Sequence, residues 1–176
     1  IDKSETPYSD VLDGLRERFG NRLGVVTLPW GVGPDFRGVI DILHMKARHL
    51  EDGKPVDEDI PEDYIEMAQQ ARDELCELVV EADDELMLKY LDGGQLTQEE
   101  LEGLMHKAIC ERIFIPVFAG SCVREEGVIS FMNSVAEYFP EPVDFGPVPL
   151  VNGEKLNIDP GDDRPVVFVF KSLNDP

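Results

Sequence analysis

Three groups of residues have the types found in catalytic or metal-binding motifs, and each lacks the partners or the spacing that the chemistry requires. Asp144-Phe145-Gly146 has the composition of the metal-binding triplet of protein kinases, but no glycine-rich loop or catalytic loop accompanies it. Gly53-Lys54 has no glycine at the P-loop spacing before it and is followed by proline, so it is not a P-loop. His44, His49 and His106 show neither the spacing of a zinc motif nor a catalytic-triad arrangement. The sequence therefore predicts no catalytic residue and no metal site.

A loop between a predicted strand and a predicted helix is a stronger candidate for ligand binding. Residues 113–119 are almost all apolar, which is typical of a buried strand in a parallel sheet. Gly120, Ser121 and Cys122 follow this strand and lead to a helix over 127–138. Because α/β proteins bind ligands at the carboxyl ends of their strands, these three residues are candidate binding residues. An ordinary strand-to-helix turn is the alternative interpretation.

A row of carboxylates forms the second candidate site. The spacing of Glu62, Glu66, Asp73 and Glu77 places them on one side of a helix predicted over 61–81. The other side is apolar and carries Ile65, Ala68, Ala71, Leu75, Leu78, Val79 and Ala82. Such a row would attract a basic partner, whereas the plainer interpretation is a solvated helix face.

The charge and composition of the whole chain exclude several functions. The 176 residues include 37 Asp and Glu against 16 Lys and Arg, which gives a formal net charge of −21. This balance argues against independent nucleic-acid binding and against docking on anionic membranes, and it favours a basic partner. No apolar run approaches the roughly 20 residues that span a bilayer. The three cysteines lack CxxC spacing, so we expect reduced thiols and a cytoplasmic location.

Local patterns predict the elements that would position these residues. The predicted elements are helix 7–19, strands 25–28 and 37–45, a hairpin over 46–59 around Asp52-Gly53, helices 61–81, 83–91 and 98–111, strand 113–119 and helix 127–138. Thr97 and Glu100 have the spacing of a capping box at the start of the helix predicted over 98–111. Residues 139–164 are proline-rich and predict a linker or extended segment, and residues 165–170 predict a strand. The alternation of elements indicates an α/β fold.

An ordered series of motifs resembles the translational GTPases of the elongation factor G type. The motifs are Ile1-Asp2, Leu28–Gly31, Phe36–Asp41, Ala82–Leu91, Leu96-Thr97 with Glu99–Leu101, Pro116–Cys122, Gly127-Val128 and Tyr138–Pro142. The series covers nearly the whole chain. By this resemblance the chain would begin inside the family's Asn-Lys-x-Asp guanine motif and end just inside the second domain.

The resemblance implies a domain organisation. The chain would contain the C-terminal part of a P-loop GTPase-type parallel sheet, an inserted α+β subdomain and the first strand of a following β-barrel. Residues 1–19 and 113–142 would form the rear part of the G domain, and residues 20–112 the inserted subdomain. Residues 143–160 would be a linker, and residues 161–176 the first strand of the barrel domain.

The resemblance also implies roles for individual residues. Asp2 would accept hydrogen bonds from N1 and the amino group of guanine, because a carboxylate matches these two donors. Ser121 would lie in the fifth guanine-binding motif, where Gly120 and Cys122 shape the loop; the family usually has Ala in place of this cysteine. The phosphate loop and switches would precede Ile1, so we expect this piece neither to hydrolyse GTP nor to bind it tightly. GTP or GDP and magnesium would be cofactors of the longer parent, and none is expected for the piece.

The resemblance further implies a partner. In this family the inserted subdomain contacts the stalk protein of the large ribosomal subunit, so Glu62, Glu66, Asp73 and Glu77 are candidates for contact with a basic face of that protein. The parent would couple GTP hydrolysis to translocation or a related remodelling of the ribosome. One alternative is a ribosome-protection or release-type paralogue on the same scaffold. The short hairpin at Asp52-Gly53 points to a divergent elongation factor G-like paralogue. Another alternative is an autonomous acidic adapter that binds a basic partner without nucleotide chemistry.

Overall fold

The computed structural model describes residues 6–159 together with Gly161, Val167 and Lys171. The chain divides into two compact units, one that ends at Phe139 and one that begins at Pro140. Asp2 and nearly all of the strand predicted over residues 165–170 lie outside the described residues.

The first unit combines helices with a small parallel sheet and an antiparallel sheet, which confirms a mixed α/β fold. Its helices are α1 (Tyr8–Phe19), α2 (Glu62–Val79), α3 (Asp84–Leu91), α4 (Gln98–Cys110) and α5 (Val128–Tyr138). Its strands are β1 (Leu23–Val25), β2 (Thr27–Trp30), β3 (Gly38–Asp41), β4 (Lys46–Glu51), β5 (Lys54–Glu58) and β6 (Ile115–Val117). Within the described residues, no helix has both the length and the apolar composition needed to cross a membrane.

Strands β1 and β6 form a parallel pair in which Leu23 lies opposite Ile115 and Val25 opposite Val117. The parallel arrangement predicted for the strand over 113–119 is therefore confirmed. The strand itself is only half-buried, and the fully buried apolar residues flank it at Phe114 and Ala119. The β1–β6 pair therefore connects the segment 20–112, predicted as an insertion, to the segment 113–142, predicted as the rear part of the G domain.

Strands β2 to β5 form an antiparallel meander in chain order. Asp52 and Gly53 connect β4 to β5 with φ angles of 51° and 73°, as a tight hairpin turn with two left-handed residues requires. The predicted hairpin is confirmed. Strand β5 is the outer strand at one edge of the meander, is largely exposed and contains Pro55.

The strand predicted over 37–45 is wrong beyond Asp41. The Asp41 carboxylate accepts a hydrogen bond from the backbone N–H of His44 at 2.9 Å, which closes a turn before β4 begins. Side chains of aspartate commonly stabilise turns in this way, in competition with a continuing strand. The strand predicted over 25–28 is likewise divided, because Val26 separates β1 from β2.

The core forms where α2 packs against β1 and α4. The predicted apolar face of α2 is buried at Ala68, Ala71, Leu75 and Val79, and Leu78 is half-buried. The prediction is wrong for Ile65, whose exposed fraction is 50%. Tyr64 packs against the core in that first turn instead, and its hydroxyl accepts a hydrogen bond from Gly31 N–H at 3.0 Å.

The predicted capping box at the start of α4 is confirmed. The Thr97 hydroxyl accepts from Glu100 N–H at 3.2 Å, and the Glu100 carboxylate accepts from Thr97 N–H at 2.7 Å. The same carboxylate pairs with Lys89 of α3 at 2.7 Å, so it also joins two successive helices.

The second unit contains a short antiparallel ladder. A helical turn spans Pro142–Phe145, and strands β7 (Val148–Pro149) and β8 (Lys155–Leu156) pair with Val148 opposite Leu156. The segment predicted as a linker or extended stretch therefore includes a small hairpin.

Candidate functional site

The loop that follows β6, residues 118–127, is anchored where the strand ends. Val26 N–H donates to Val117 O at 2.9 Å, and Ala119 N–H donates to the Thr27 hydroxyl at 2.8 Å. Thr27 is buried, so this bond is shielded from water. The start of the loop is thereby fixed to the first strand of the meander.

The loop closes on itself through a narrow crossing of the chain. Ser121 N–H donates to Glu126 O at 2.9 Å, and these two residues form an isolated antiparallel bridge. Gly127 has a φ of 79°, and a Cβ there would lie 2.8 Å from Ala119 O and 2.9 Å from Val39 Cγ1. Only glycine fits this position without displacement of its neighbours.

The three candidate residues of the loop occupy different environments. Ser121 is buried, with 4% of its surface exposed, and its hydroxyl accepts from Arg124 N–H at 3.2 Å. Gly120 and Cys122 are exposed. Ser121 therefore maintains the shape of the loop, while its two neighbours are the residues that a ligand can reach. Asp2, the fourth residue predicted for this site, lies outside the described residues.

A cavity of about 350 Å³ lies beside Gly120, between α1 and the end of β6. The apolar residues that line it include Val11, Leu12, Leu15, Val117 and Phe118. The Tyr8 hydroxyl is buried beside it without a hydrogen-bond partner among the described residues. Burial raises the pKa of Tyr8 to about 12, against the opposing charge of Arg16, so the hydroxyl stays protonated and can donate.

Planar rings and phosphate groups need different surroundings in a binding site. A cavity with apolar walls, an unpaired hydroxyl and an accessible loop suits a planar ring with polar edges. The sequence holds no glycine-rich phosphate loop, and magnesium in such sites depends on residues of that loop.

The second candidate site lies on α2, where Glu62, Glu66, Asp73 and Glu77 are all exposed. Among the described residues, the ion pairs include none of these four carboxylates. Their neighbour Glu74 differs, because it pairs with Arg16 of α1 at 3.0 Å. The row of four is therefore an uncompensated negative surface, which we call the acidic row.

Two large apolar side chains on α2 are also exposed. Ile65 and Met67 each have an exposed fraction of 50%. Their exposure adds apolar area to the helix that carries the acidic row, a combination common at protein–protein contacts. The sequence pattern did not reveal this, because Ile65 was predicted to face the core.

A polar cluster around Asp41 is absent from the sequence-based prediction. The buried Asp41 carboxylate lies 2.6 Å from Arg48 Nη1 and 3.0 Å from His44 Nδ1. Burial raises the pKa of Asp41, but the His44 hydrogen bond and the Arg48 charge outweigh it and hold the pKa below its usual value. His44 lies in the turn that follows β3, where its contact with Asp41 gives it a structural role. The Asp-x-x-His spacing is the one sequence signal of this contact.

The cluster borders a cleft of about 480 Å³ between the meander and α5, which Glu126 and Gly127 of the loop also line. Arg124 and Glu126 are further loop residues that the sequence did not single out. Arg124 Nη1 donates to Phe36 O at 2.7 Å, and the Glu126 carboxylate accepts from Leu50 N–H at 3.1 Å. Both partners are backbone groups far away in the sequence, so no side-chain pattern marks them.

Comparison with known proteins supports the fold. No protein-family model matches the chain. The crystal structure of the protein ttk003000868 from Thermus thermophilus is similar, with a TM-score of 0.71 and 33% sequence identity over 80% of this chain. This chain spans 22% of the length of that protein. The mixed α/β arrangement described above therefore also occurs as part of a longer protein from Thermus.

Proposed function

We propose that the chain is part of a translational GTPase of the elongation factor G type and that its loop after β6 contacts a guanine base. The observation that supports this most is the placement of Gly120, Ser121 and Cys122 at the carboxyl end of a parallel strand. Hydrogen bonds hold the loop there, and a cavity suited to a planar ring lies beside it.

In this proposal the chain supplies recognition of the base, and residues outside it supply phosphoryl transfer. Asp2 accepts from the two donors of guanine, and Ser121 holds the loop so that its exposed neighbours face the ring. Magnesium and a phosphate loop would neutralise the charge on the phosphates in the complete protein. The 176 residues alone therefore bind guanine nucleotides weakly and do not hydrolyse GTP.

The acidic row supports a proposal about the partner. A negative helix face without compensating cations attracts a basic surface and accelerates its approach, and this attraction weakens with salt. We assign this face to a basic ribosomal protein of the large-subunit stalk. In the complete protein, the contact would bring the GTPase to the ribosome before translocation or a related remodelling step.

Guanine recognition can be tested by calorimetry on the complete gene product that contains this chain. We expect Asp2→Asn to weaken binding of GDP and to improve binding of xanthosine diphosphate, because an amide can donate to the carbonyl that replaces the amino group of guanine. The matched control is Asp10→Asn, on an exposed position of α1. If the affinities of the Asp2 variant for GDP and for xanthosine diphosphate both equal those of the natural sequence, the role of Asp2 is contradicted. Micromolar GDP binding by the 176 residues alone would contradict the proposal that tight binding needs phosphate-binding residues outside them.

Partner binding can be tested with charge reversal on α2. We expect Glu66→Lys with Asp73→Lys to reduce stimulation of the GTPase by the stalk protein, and the difference from the natural sequence to shrink as salt is added. Asp10→Lys with Asp13→Lys changes the net charge equally on exposed positions of α1 and is the control. Equal stimulation of both variants would refute the acidic row as the contact.

A second candidate function is an acidic adapter that binds a basic partner without nucleotide chemistry. The net charge of −21 and the uncompensated acidic row favour it. It predicts binding of the basic partner together with no affinity of the complete gene product for any guanine nucleotide. A ribosome-protection or release-type paralogue would instead bind both the nucleotide and the ribosome but fail to promote translocation.

A further inference from the structure

The loop after β6 is tied to the meander by two side chains. Arg124 Nη1 donates to Phe36 O at 2.7 Å and to Pro34 O at 3.2 Å, in the connection between β2 and β3. Glu126 accepts from Leu50 N–H with both carboxylate oxygens, at 3.1 and 3.3 Å, near the end of β4. The loop is thus attached to the meander at two separate places, by the Arg124 guanidinium at one and by the Glu126 carboxylate at the other.

The backbone of the same two residues holds Ser121. Arg124 N–H donates to the Ser121 hydroxyl, and Glu126 O accepts from Ser121 N–H. Each residue therefore contacts the meander through its side chain and the centre of the candidate site through its main chain. A shift of either side chain would be passed directly to the residue that shapes the loop.

Both contacts lie in partly buried surroundings and involve a charged side chain. Phe36 is buried, with 3% of its surface exposed, so its carbonyl belongs to a well-packed part of the meander. Burial raises the pKa of Glu126, and the hydrogen bond from Leu50 N–H opposes this effect. Hydrogen bonds with one charged partner are stronger than those between neutral groups.

We propose that Arg124 and Glu126 are positioning residues through which the meander sets the conformation of residues 120–122 and hence the affinity of this loop for a guanine nucleotide. The identity of the ligand in this inference rests on the proposed function, whereas the connection between the meander and the loop does not depend on it. Because coupling between sites is reciprocal, a ligand bound at the loop also stabilises the contact of Arg124 with the meander.

The mechanical connection can be tested on the 176 residues without nucleotide, by hydrogen exchange. We expect Arg124→Ala and Glu126→Ala each to accelerate exchange at the Ser121 amide by about tenfold, because each removes a charge-assisted bond that keeps the loop closed. Glu126→Gln retains an acceptor for Leu50 N–H and restores most of the protection. Unchanged exchange at Ser121 in both alanine variants would overturn the proposal.

The control variant removes a similar contact elsewhere. Arg22 Nη1 donates to Arg112 O at 3.3 Å, which is also an arginine-to-carbonyl bond over a long sequence separation, and it does not involve the loop. We expect Arg22→Ala to leave exchange at Ser121 unchanged. Acceleration of equal size in this variant would mean that the effect is general destabilisation, and it would overturn the positioning role.

The effect on the ligand is measured with GDP and the complete gene product. We expect Arg124→Ala to weaken GDP affinity by about tenfold and Arg22→Ala to change it less than about twofold. If the natural sequence binds no guanine nucleotide, the proposed function fails and the exchange experiment still decides the connection. If it binds GDP and Arg124→Ala binds it equally well, the positioning role fails while the proposed function stands.

Discussion

At the scale of single residues, the carboxylate of Asp41 is buried and makes several polar contacts. It accepts from His44 N–H, contacts the imidazole of the same residue and pairs with Arg48. Arg48 has a second carboxylate partner, Asp57, at 3.3 Å from its Nε. The two aspartates differ in exposure, since 5% of the Asp41 side chain and 51% of the Asp57 side chain are exposed. They therefore allow a comparison of a buried and an exposed pair on one arginine.

We expect Asp41→Asn to lower the free energy of unfolding by about 3 kcal/mol, because it leaves Arg48 without its buried counter-charge. Asp57→Asn removes an exposed partner of the same arginine and is expected to cost about 0.5 kcal/mol. Urea denaturation of both variants measures the difference. Equal costs would show that burial does not decide the strength of these pairs.

The pH dependence of stability offers a test of His44. Its hydrogen bond to Asp41 raises the pKa of His44, and burial opposes this shift. Because folding raises the pKa of His44, protonation of its imidazole stabilises the fold. This stabilisation is complete below the pKa of histidine in the unfolded chain, about 6.5, and is lost as the pH rises through the pKa of His44 in the folded protein. We therefore expect His44→Gln to cost more stability at pH 5.5 than at pH 9. In an Asp41→Asn background this trend should disappear, and its persistence would assign it to another group.

At the scale of elements, the crossing of the loop after β6 depends on one glycine. Gly127 and Gly93 have similar φ angles, 79° and 83°, but a Cβ at Gly93 would meet nothing within 4 Å. We expect Gly93→Ala to cost about 1 kcal/mol from backbone strain alone. Gly127→Ala adds a collision with Ala119 and Val39, so we expect a cost of about 3 kcal/mol. Thermal unfolding of the two variants separates strain from collision, and similar costs would contradict the tight crossing.

Elements whose signals are local could be predicted from the sequence. The Thr97–Glu100 capping box and the Asp52-Gly53 hairpin each depend on neighbouring residues, and both are confirmed. The end of β3 was missed because a side chain, that of Asp41, competes with the strand for backbone hydrogen bonds. Ile65 was misplaced because Tyr64, not the helical period, decides which residue of the first turn of α2 packs on the core.

The candidate site was predicted only in outline, because the contacts that hold its loop join residues that are far apart in the sequence. The strand, the loop and the following helix show in the apolar run and in the glycines that bound the loop. The contacts that hold the loop join Arg124 to Phe36 and Glu126 to Leu50, and their acceptors or donors are backbone groups. Every residue has such groups, so sequence patterns cannot identify which ones are used.

At the scale of the whole molecule, the net charge of −21 acts against folding. Like charges repel one another more strongly in the compact state, and salt screens this repulsion over about 10 Å at 0.1 M. We expect the unfolding temperature to rise as NaCl is increased from about 10 to about 300 mM. Glu66→Lys with Asp73→Lys lowers the net negative charge and should weaken this dependence. A fall in unfolding temperature with salt would instead show that ion pairs such as Arg16–Glu74 and Lys46–Asp59 dominate.

The outer strand of the meander has a consequence for behaviour at high concentration. An exposed sheet edge can recruit a strand from another molecule and so begin aggregation. Here the edge strand β5 contains Pro55, which has no N–H to donate, and ends in the acidic pair Asp57-Glu58. An approaching copy of the chain would meet a missing hydrogen bond and like charges at the same edge. The meander can therefore leave this edge open without becoming a template for fibrils.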